Sequence, residues 1–177
     1  MRGEELYDTS KLVAEDMVRS FCASFGVEGL LFRFFSIYGP GRFLPSKGHF
    51  IATWLDQVKR GRPLTIHGDG TQTIDLLHVD DAVQACLLSD ELAIEAGTTA
   101  TFNVGSGRDT PVRTIATWIQ QVQPAAEVRH VAGPANQVAR RWASIEQARS
   151  RLGYSPRVLP EDGVKALAMR RLLGEAD

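Results

Sequence analysis

Between Gly29 and the Gly39-Pro40-Gly41 turn the chain runs Leu30-Leu31-Phe32-Arg33-Phe34-Phe35-Ser36-Ile37-Tyr38, dense in Leu and Phe. A strand with one wet face alternates apolar and polar residues; a strand covered on both faces does not. The run therefore reads as a buried parallel strand. Parallel strands need long crossover connections, usually helices packed on the sheet, so this one segment points to an α/β fold.

The flanking sequence supplies the helices. Leu12, Val13, Met17, Val18 and Phe21 recur at helical spacing in a helix that opens at Tyr7, lasts about four turns and is capped by Gly26. Phe50, Ile51, Trp54, Leu55 and Val58 mark a second helix closed by Gly61 and Pro63. Leu64 to Ile66 and Ile74 to Leu77 read as strands, and Asp80 as the N-cap of a helix through Leu88. Thr101 to Val104 is a further strand, stopped by Gly105-Ser106-Gly107. Thr110 caps the next helix, with Pro111 at its first position and Val112, Ile115, Ala116, Ile119 and Val122 facing inward. Glu127 to Val131 reads as an edge strand. Ser144 and Gln147 form a capping box for a short helix ending at Gly153, and Pro160 begins the last helix, with Val164, Leu167, Ala168 and Leu172 on one stripe. Ala132 to Arg141, poor in apolar residues, is expected to be a mobile loop.

Charge narrows the partners. With 20 basic and 21 acidic residues in 177, and no run of one sign, the chain offers no nucleic-acid or membrane patch. No apolar run is long enough to span a bilayer and no leader pattern is present, so a cytoplasmic location is expected. Cys22 and Cys86, each among apolar residues, read as buried thiols, and His49, His67, His78 and His130 are too scattered for a metal site.

Tyr7 and Lys11 stand four apart on the first helix, within about 40° of one direction at about 100° per residue. A phenol is a poor proton carrier at neutral pH, but an ammonium within about 4 to 6 Å favours its phenolate. The pair is a candidate general acid or base.

Four motifs stand in register: Tyr7-Asp8-Thr9-Ser10-Lys11; Arg33-Phe34-Phe35-Ser36-Ile37-Tyr38-Gly39-Pro40-Gly41; Gly68-Asp69-Gly70-Thr71-Gln72-Thr73-Ile74-Asp75-Leu76-Leu77-His78-Val79-Asp80-Asp81; and Asn103-Val104-Gly105-Ser106-Gly107. In order and spacing the set resembles the extended short-chain dehydrogenase/reductase family, in particular its NAD-dependent nucleotide-sugar epimerases and dehydratases. The resemblance implies an incomplete Rossmann-like parallel sheet over residues 1–45, and over residues 46–177 a small α/β substrate lobe with elements returning to the main sheet. It implies NAD as cofactor and a nucleotide-sugar or sugar-like substrate. By it, Tyr7 moves a proton, Lys11 supports the phenolate and holds the nicotinamide ribose, and the backbone at Phe34 meets the nicotinamide end. Ser36, Thr65, His67, Arg140 and Arg141 fall at substrate-facing positions. His67 fits a nucleotide contact or a solvated strand end equally, Arg140 and Arg141 fit an anion contact or a solvated pair, and His78 fits a core histidine.

The chain also departs from the pattern. It holds no Gly-x-x-Gly-x-x-Gly turn for a pyrophosphate. Ser36 stands where many relatives have Asn, Ile74 where they have a diphosphate-binding Arg, and Pro134-Ala135-Asn136-Gln137 where they have an Arg and an Asp. Three readings follow: the carboxyl-terminal part of an epimerase or dehydratase, a pseudoenzyme or binding module built on the same fold, and a relative acting on a small substrate without a nucleotide handle. The missing strands would leave the Leu30 to Tyr38 segment short of cover, so a homodimer or a partner chain is expected near it and near the helix carrying Tyr7.

Overall fold

A long helix, α1 (Gly3–Phe25), leads into strand β1 (Gly29–Phe34), and after a one-residue break the chain continues as β2 (Ser36–Tyr38). There follow α2 (Phe50–Lys59), β3 (Leu64–His67), β4 (Thr73–Ile74), β5 (Leu76–His78) and α3 (Val79–Leu88). The second half holds β6 (Thr99–Val104), β7 (Thr110–Pro111), α4 (Val112–Val122), β8 (Val128–Val131), β9 (Arg140–Arg141), α5 (Glu146–Leu152) and α6 (Pro160–Leu173). The molecule is described by a computed structural model covering residues 3–41, 49–134 and 138–174.

The strands pair as small, mainly parallel sheets: β1 with β6, β2 with β5, and β3 with β8. β4 lies between β7, antiparallel to it, and β9, parallel to it. The apolar run expected as one strand thus serves two partners. It follows β6 as far as Phe35, whose amide still donates to Val104 O at 3.0 Å, and then crosses to β5. The expected strand Ile74 to Leu77 is divided in the same way at Asp75, which leaves β9 for β2. Nor is β1 buried: only Gly29 is fully covered, and Arg33 and Phe34 are exposed. Among the described residues β1 pairs on one edge only, which accounts for the difference.

Two apolar clusters hold the elements. In one, Trp54 and Leu55 of α2, Ile115 and Ile119 of α4 and Val164 and Leu167 of α6 close around β3 and β5. In the other, Phe102 and Val104 of β6 pack against α3, α5 and the buried Tyr154. The faces expected for α2, α4 and α6 are the ones that pack.

Helix ends differ more. α1 is longer than expected and starts upstream of Tyr7, but it does stop at Gly26, which adopts φ 64°. Gly153 likewise closes α5 at φ 67°, and Pro160 opens α6. The N-cap of α3 is His78, not Asp80: the His78 ring Nδ1 accepts from the Asp80 amide. Thr110 is drawn into β7, leaving Pro111 as the N-cap of α4, and Ile145 rather than Ser144 precedes α5, with no capping side chain. At α4 a strand partner outbid the local cap, whereas at α3 another local side chain took the cap two residues upstream. Cys22 is buried as expected, whereas Cys86 is exposed on α3. The Ala132 to Arg141 segment ends not as a loop but as β9 on β4; residues 135–137, and with them the departures expected at Ala135, Asn136 and Gln137, lie outside the described residues.

No described helix is long and apolar enough to cross a membrane, and no group of metal-ligating side chains occurs among the described residues.

Candidate active site

Glu15 fixes where the Tyr7 end of α1 lies. Its carboxylate accepts two hydrogen bonds from the Arg33 guanidinium, both at 2.6 Å, and one from Arg19 at 2.9 Å. The Arg33 contact above all holds the Glu15 carboxyl down to about 2. Cys22 meets the start of β1 and Glu15 meets Arg33 near its end, so Lys11, one turn before Glu15, and Tyr7, one turn before Lys11, lie on the stretch of α1 that runs on past the carboxyl end of β1. In α/β sheets that end of the strands is where ligands bind.

Tyr7 and Lys11 share a helix face as their spacing implied. The Lys11 ammonium stands over the Tyr7 ring, 5.4 Å from its centroid, within cation–π range. The phenol is 63% exposed, and the Ser10 hydroxyl donates to the Tyr7 carbonyl. Phe34, at the end of β1, is also exposed, its ring stacked on Phe32 at 5.4 Å. Ser36 follows in β2, in register with Leu76. Arg33 reaches α1, so Phe34, the next residue along the strand, turns to the face of β1 opposite the Tyr7/Lys11 pair.

The remaining candidates lie on other sheets. Leu64 and Ile66 of β3 turn into the core, which puts Thr65 and His67 on the opposite face. Thr65 is held by α2: its carbonyl accepts from the Trp54 indole at 2.9 Å and its hydroxyl from Gln57. His67, at the exposed end, presents its carbonyl to the Gln72 side chain. Arg140 and Arg141 form β9 against β4, with both side chains exposed. The Arg140 guanidinium bonds Asp109 at 2.6 Å and stacks 4.9 Å from the Trp142 ring. Ile74, in register with Arg141, packs against the first apolar cluster. His78 is mostly covered, edge-on to Tyr38.

One functional-looking residue escaped the sequence reading. Asp75 is wholly buried, and its carboxylate accepts from the Ser106 amide and hydroxyl, both at 2.7 Å, from the Gly107 amide at 3.0 Å and from the Ala143 amide at 3.3 Å. Burial pushes the carboxyl above its ordinary value against the opposing pull of those donors. Asp75 ties the junction of β4 and β5 to the loop after β6 and the end of β9. The signal was present in sequence: an Asp inside an apolar strand must find donors.

Comparison with known proteins places the fold. Residues 2–105 match the model of the NAD dependent epimerase/dehydratase family. UDP-glucuronic acid decarboxylase 3 of Arabidopsis thaliana is 29% identical over 159 residues, covering 89% of this chain and 45% of that protein. The UDP-glucose 4-epimerase of Thermotoga maritima, solved with UDP-glucose, superposes with a TM-score of 0.83 at 26% identity over 92% of this chain and 52% of the other. The UDP-glucuronic acid 4-epimerase of Bacillus cereus, solved with UDP-glucuronic acid and NAD, does so at 0.83 and 25%, over 96% of this chain and 53% of the other. The chain spans about half the length of these relatives. On the matched segment, which carries Tyr7, Lys11 and the β1 strand, the chain belongs to the NAD dependent epimerase/dehydratase family.

Proposed function

We propose that this chain carries the proton-transfer part of an NAD-dependent site that transforms a nucleotide-linked sugar. The observation that carries the reading is the exposed Tyr7/Lys11 pair, anchored by Glu15 and Arg33 at the carboxyl end of β1. Tyr7 Oη takes the proton of a sugar hydroxyl and later returns it. Lys11 supplies positive charge beside the phenol and donors for the hydroxyls of a nicotinamide ribose. Phe34 and Ser36 line the same end, Phe34 through its backbone at the nicotinamide. When bound, NAD supplies a reversible hydride acceptor.

The residues present fit the nicotinamide end of that cofactor. The pyrophosphate calls for a glycine turn opening a helix, which this sequence does not contain, so a neighbouring segment or chain supplies it. We place residues 1–45 in that cofactor-binding lobe and 46–177 in the substrate lobe, with Thr65, His67, Arg140 and Arg141 toward the nucleotide. The α1 face is covered in the working assembly, by a second copy or by a partner chain.

A second reading, a binding module without turnover, draws on Ile74. An apolar side chain packed into the core gives a diphosphate none of the charge-assisted contact that an Arg would. Calorimetry with NADH, together with turnover assays on UDP-glucose and UDP-glucuronic acid, separates the two. Micromolar NADH binding lost in Lys11→Ala, with any turnover lost in Tyr7→Phe, supports the enzyme. Absence of NADH binding at millimolar concentration, by the chain alone and in any complex isolated with it, overturns it.

A further inference from the structure

Away from α1, the loop after β6, α5 and the segment after it line a small cleft of about 90 Å³, open to solvent, whose polar wall is Ser106, Arg108, Arg149 and Ser155. We propose that this cleft binds a small phosphate ester, its phosphate between Arg108 and Arg149 and its apolar part on Val158 and Leu159.

The charge is uncommitted. Arg19, Arg33, Arg60 and Arg140 all bond a carboxylate, but among the described residues neither Arg108 nor Arg149 has an acidic partner. Two buried acids, Asp75 and Asp81, are already spent, largely on backbone donors, and Asp109 is paired with Arg140. Asp75 holds the Ser106 and Gly107 amides, and Asp81 accepts from the Arg157 and Val158 amides at 2.8 and 3.1 Å. Two arginines lining one cleft, neither paired with a carboxylate among the described residues, leave donors for an anion, and guanidinium geometry matches phosphate oxygens two at a time.

The wall is also built in advance. Ser106 is 6% exposed and clamped by Asp75, its Oγ accepts from the Arg108 amide at 3.2 Å, and the Tyr154 hydroxyl donates to Gly105 O at 2.9 Å. Arg149 stands on α5, whose Ala148 is buried in the second cluster. Arg149 thus stands on a packed helix, and Arg108 on a loop whose preceding residues are fixed by Asp75. Val158 and Leu159 form an apolar rim, with Leu159 46% exposed, which favours an ester over the bare ion. This proposal stands independently of the Tyr7 site.

Amide-resolved NMR titration with inorganic phosphate and with phenyl phosphate, at constant ionic strength, tests it. Saturable shifts are expected at Ser106, Arg108, Arg149 and Ser155, with phenyl phosphate the tighter ligand. Arg108→Gln and Arg149→Gln should each weaken binding about tenfold, while Arg129→Gln on β8 leaves it unchanged. Shifts spread over every surface arginine, or affinities indifferent to both cleft substitutions in variants with native spectra, would overturn it.

Discussion

His49 shows what a single buried group does to the pH dependence of the fold. Its Nδ1 accepts from the Ile51 amide and so caps α2, its ring lies against Phe50, and Nε2 is buried with no hydrogen-bond partner among the described residues. Burial drives the ring's pKa down to about 4 from 6.5. Below pH 6.5 the unfolded chain therefore binds a proton that the folded chain refuses, so stability falls as pH falls, through the window from 6.5 to 4. His49→Asn keeps a capping oxygen and removes the titration. Thermal unfolding at pH 7 and pH 5 should show a smaller drop in Tm for His49→Asn than for the parent; equal drops would assign the acid sensitivity elsewhere. Asp75 makes the complementary case, because its role is to accept. Asp75→Asn turns an amide NH2 toward backbone donors and should cost about 1 to 3 kcal/mol in urea unfolding. Ser106→Ala in the same background should add little, since both changes strike one network.

At the scale of elements, the close approach of α1 to β1 turns on Gly29. A Cβ there would lie 2.6 Å from Cys22 Sγ on the helix and 2.6 Å from Thr99 Cγ2 on β6. Gly29→Ala should therefore lift α1 or spread the strands, at about 1 to 3 kcal/mol by chemical denaturation, and Thr99→Ser, which removes the clashing methyl and leaves the Cys22 sulfur, should recover part of the loss. If the two changes prove simply additive, the contact is not what binds helix to strand. In sequence Gly29 looks only like a boundary, since nothing local announces which side chains cross over it. The same limit runs through the fold. α2, α4 and α6 were legible because their apolar stripes repeat along one helix, and β3 and β8 because turns bracket them. The breaks at Phe35 and Asp75 were not, because each is set by strand partners distant in the chain. The site divides likewise: Tyr7 and Lys11 could be paired from spacing alone, whereas the Glu15 to Arg33 fork that positions them joins residues 18 apart in sequence.

The whole molecule is shaped by what it leaves bare. Leu6, Val13, Met17, Phe21 and Phe25, with Tyr7, fall within about 120° of one another around α1, and all are more than half exposed. Glu15 and Cys22, which meet β1, lie on the other side of the helix. A helix in this position has two working sides, one holding β1 and one with no partner among the described residues, and beside it β1 pairs on one edge only among the described residues. Apolar surface so continuous is costly in water and favours burial against another polypeptide. The purified chain should accordingly self-associate, or recruit a partner, through α1. Sedimentation velocity across a concentration series should show species larger than 19.5 kDa, and Met17→Glu with Phe21→Lys should return the chain to monomer without loss of helical signal. The substituted residues lie beyond Lys11, so the Tyr7/Lys11 pair stays intact and any change in NADH affinity reports the assembly itself. A parent chain that sediments as a monomer at all concentrations and takes up no apolar dye would show that this face needs no cover, and would sever the link between the Tyr7 site and assembly.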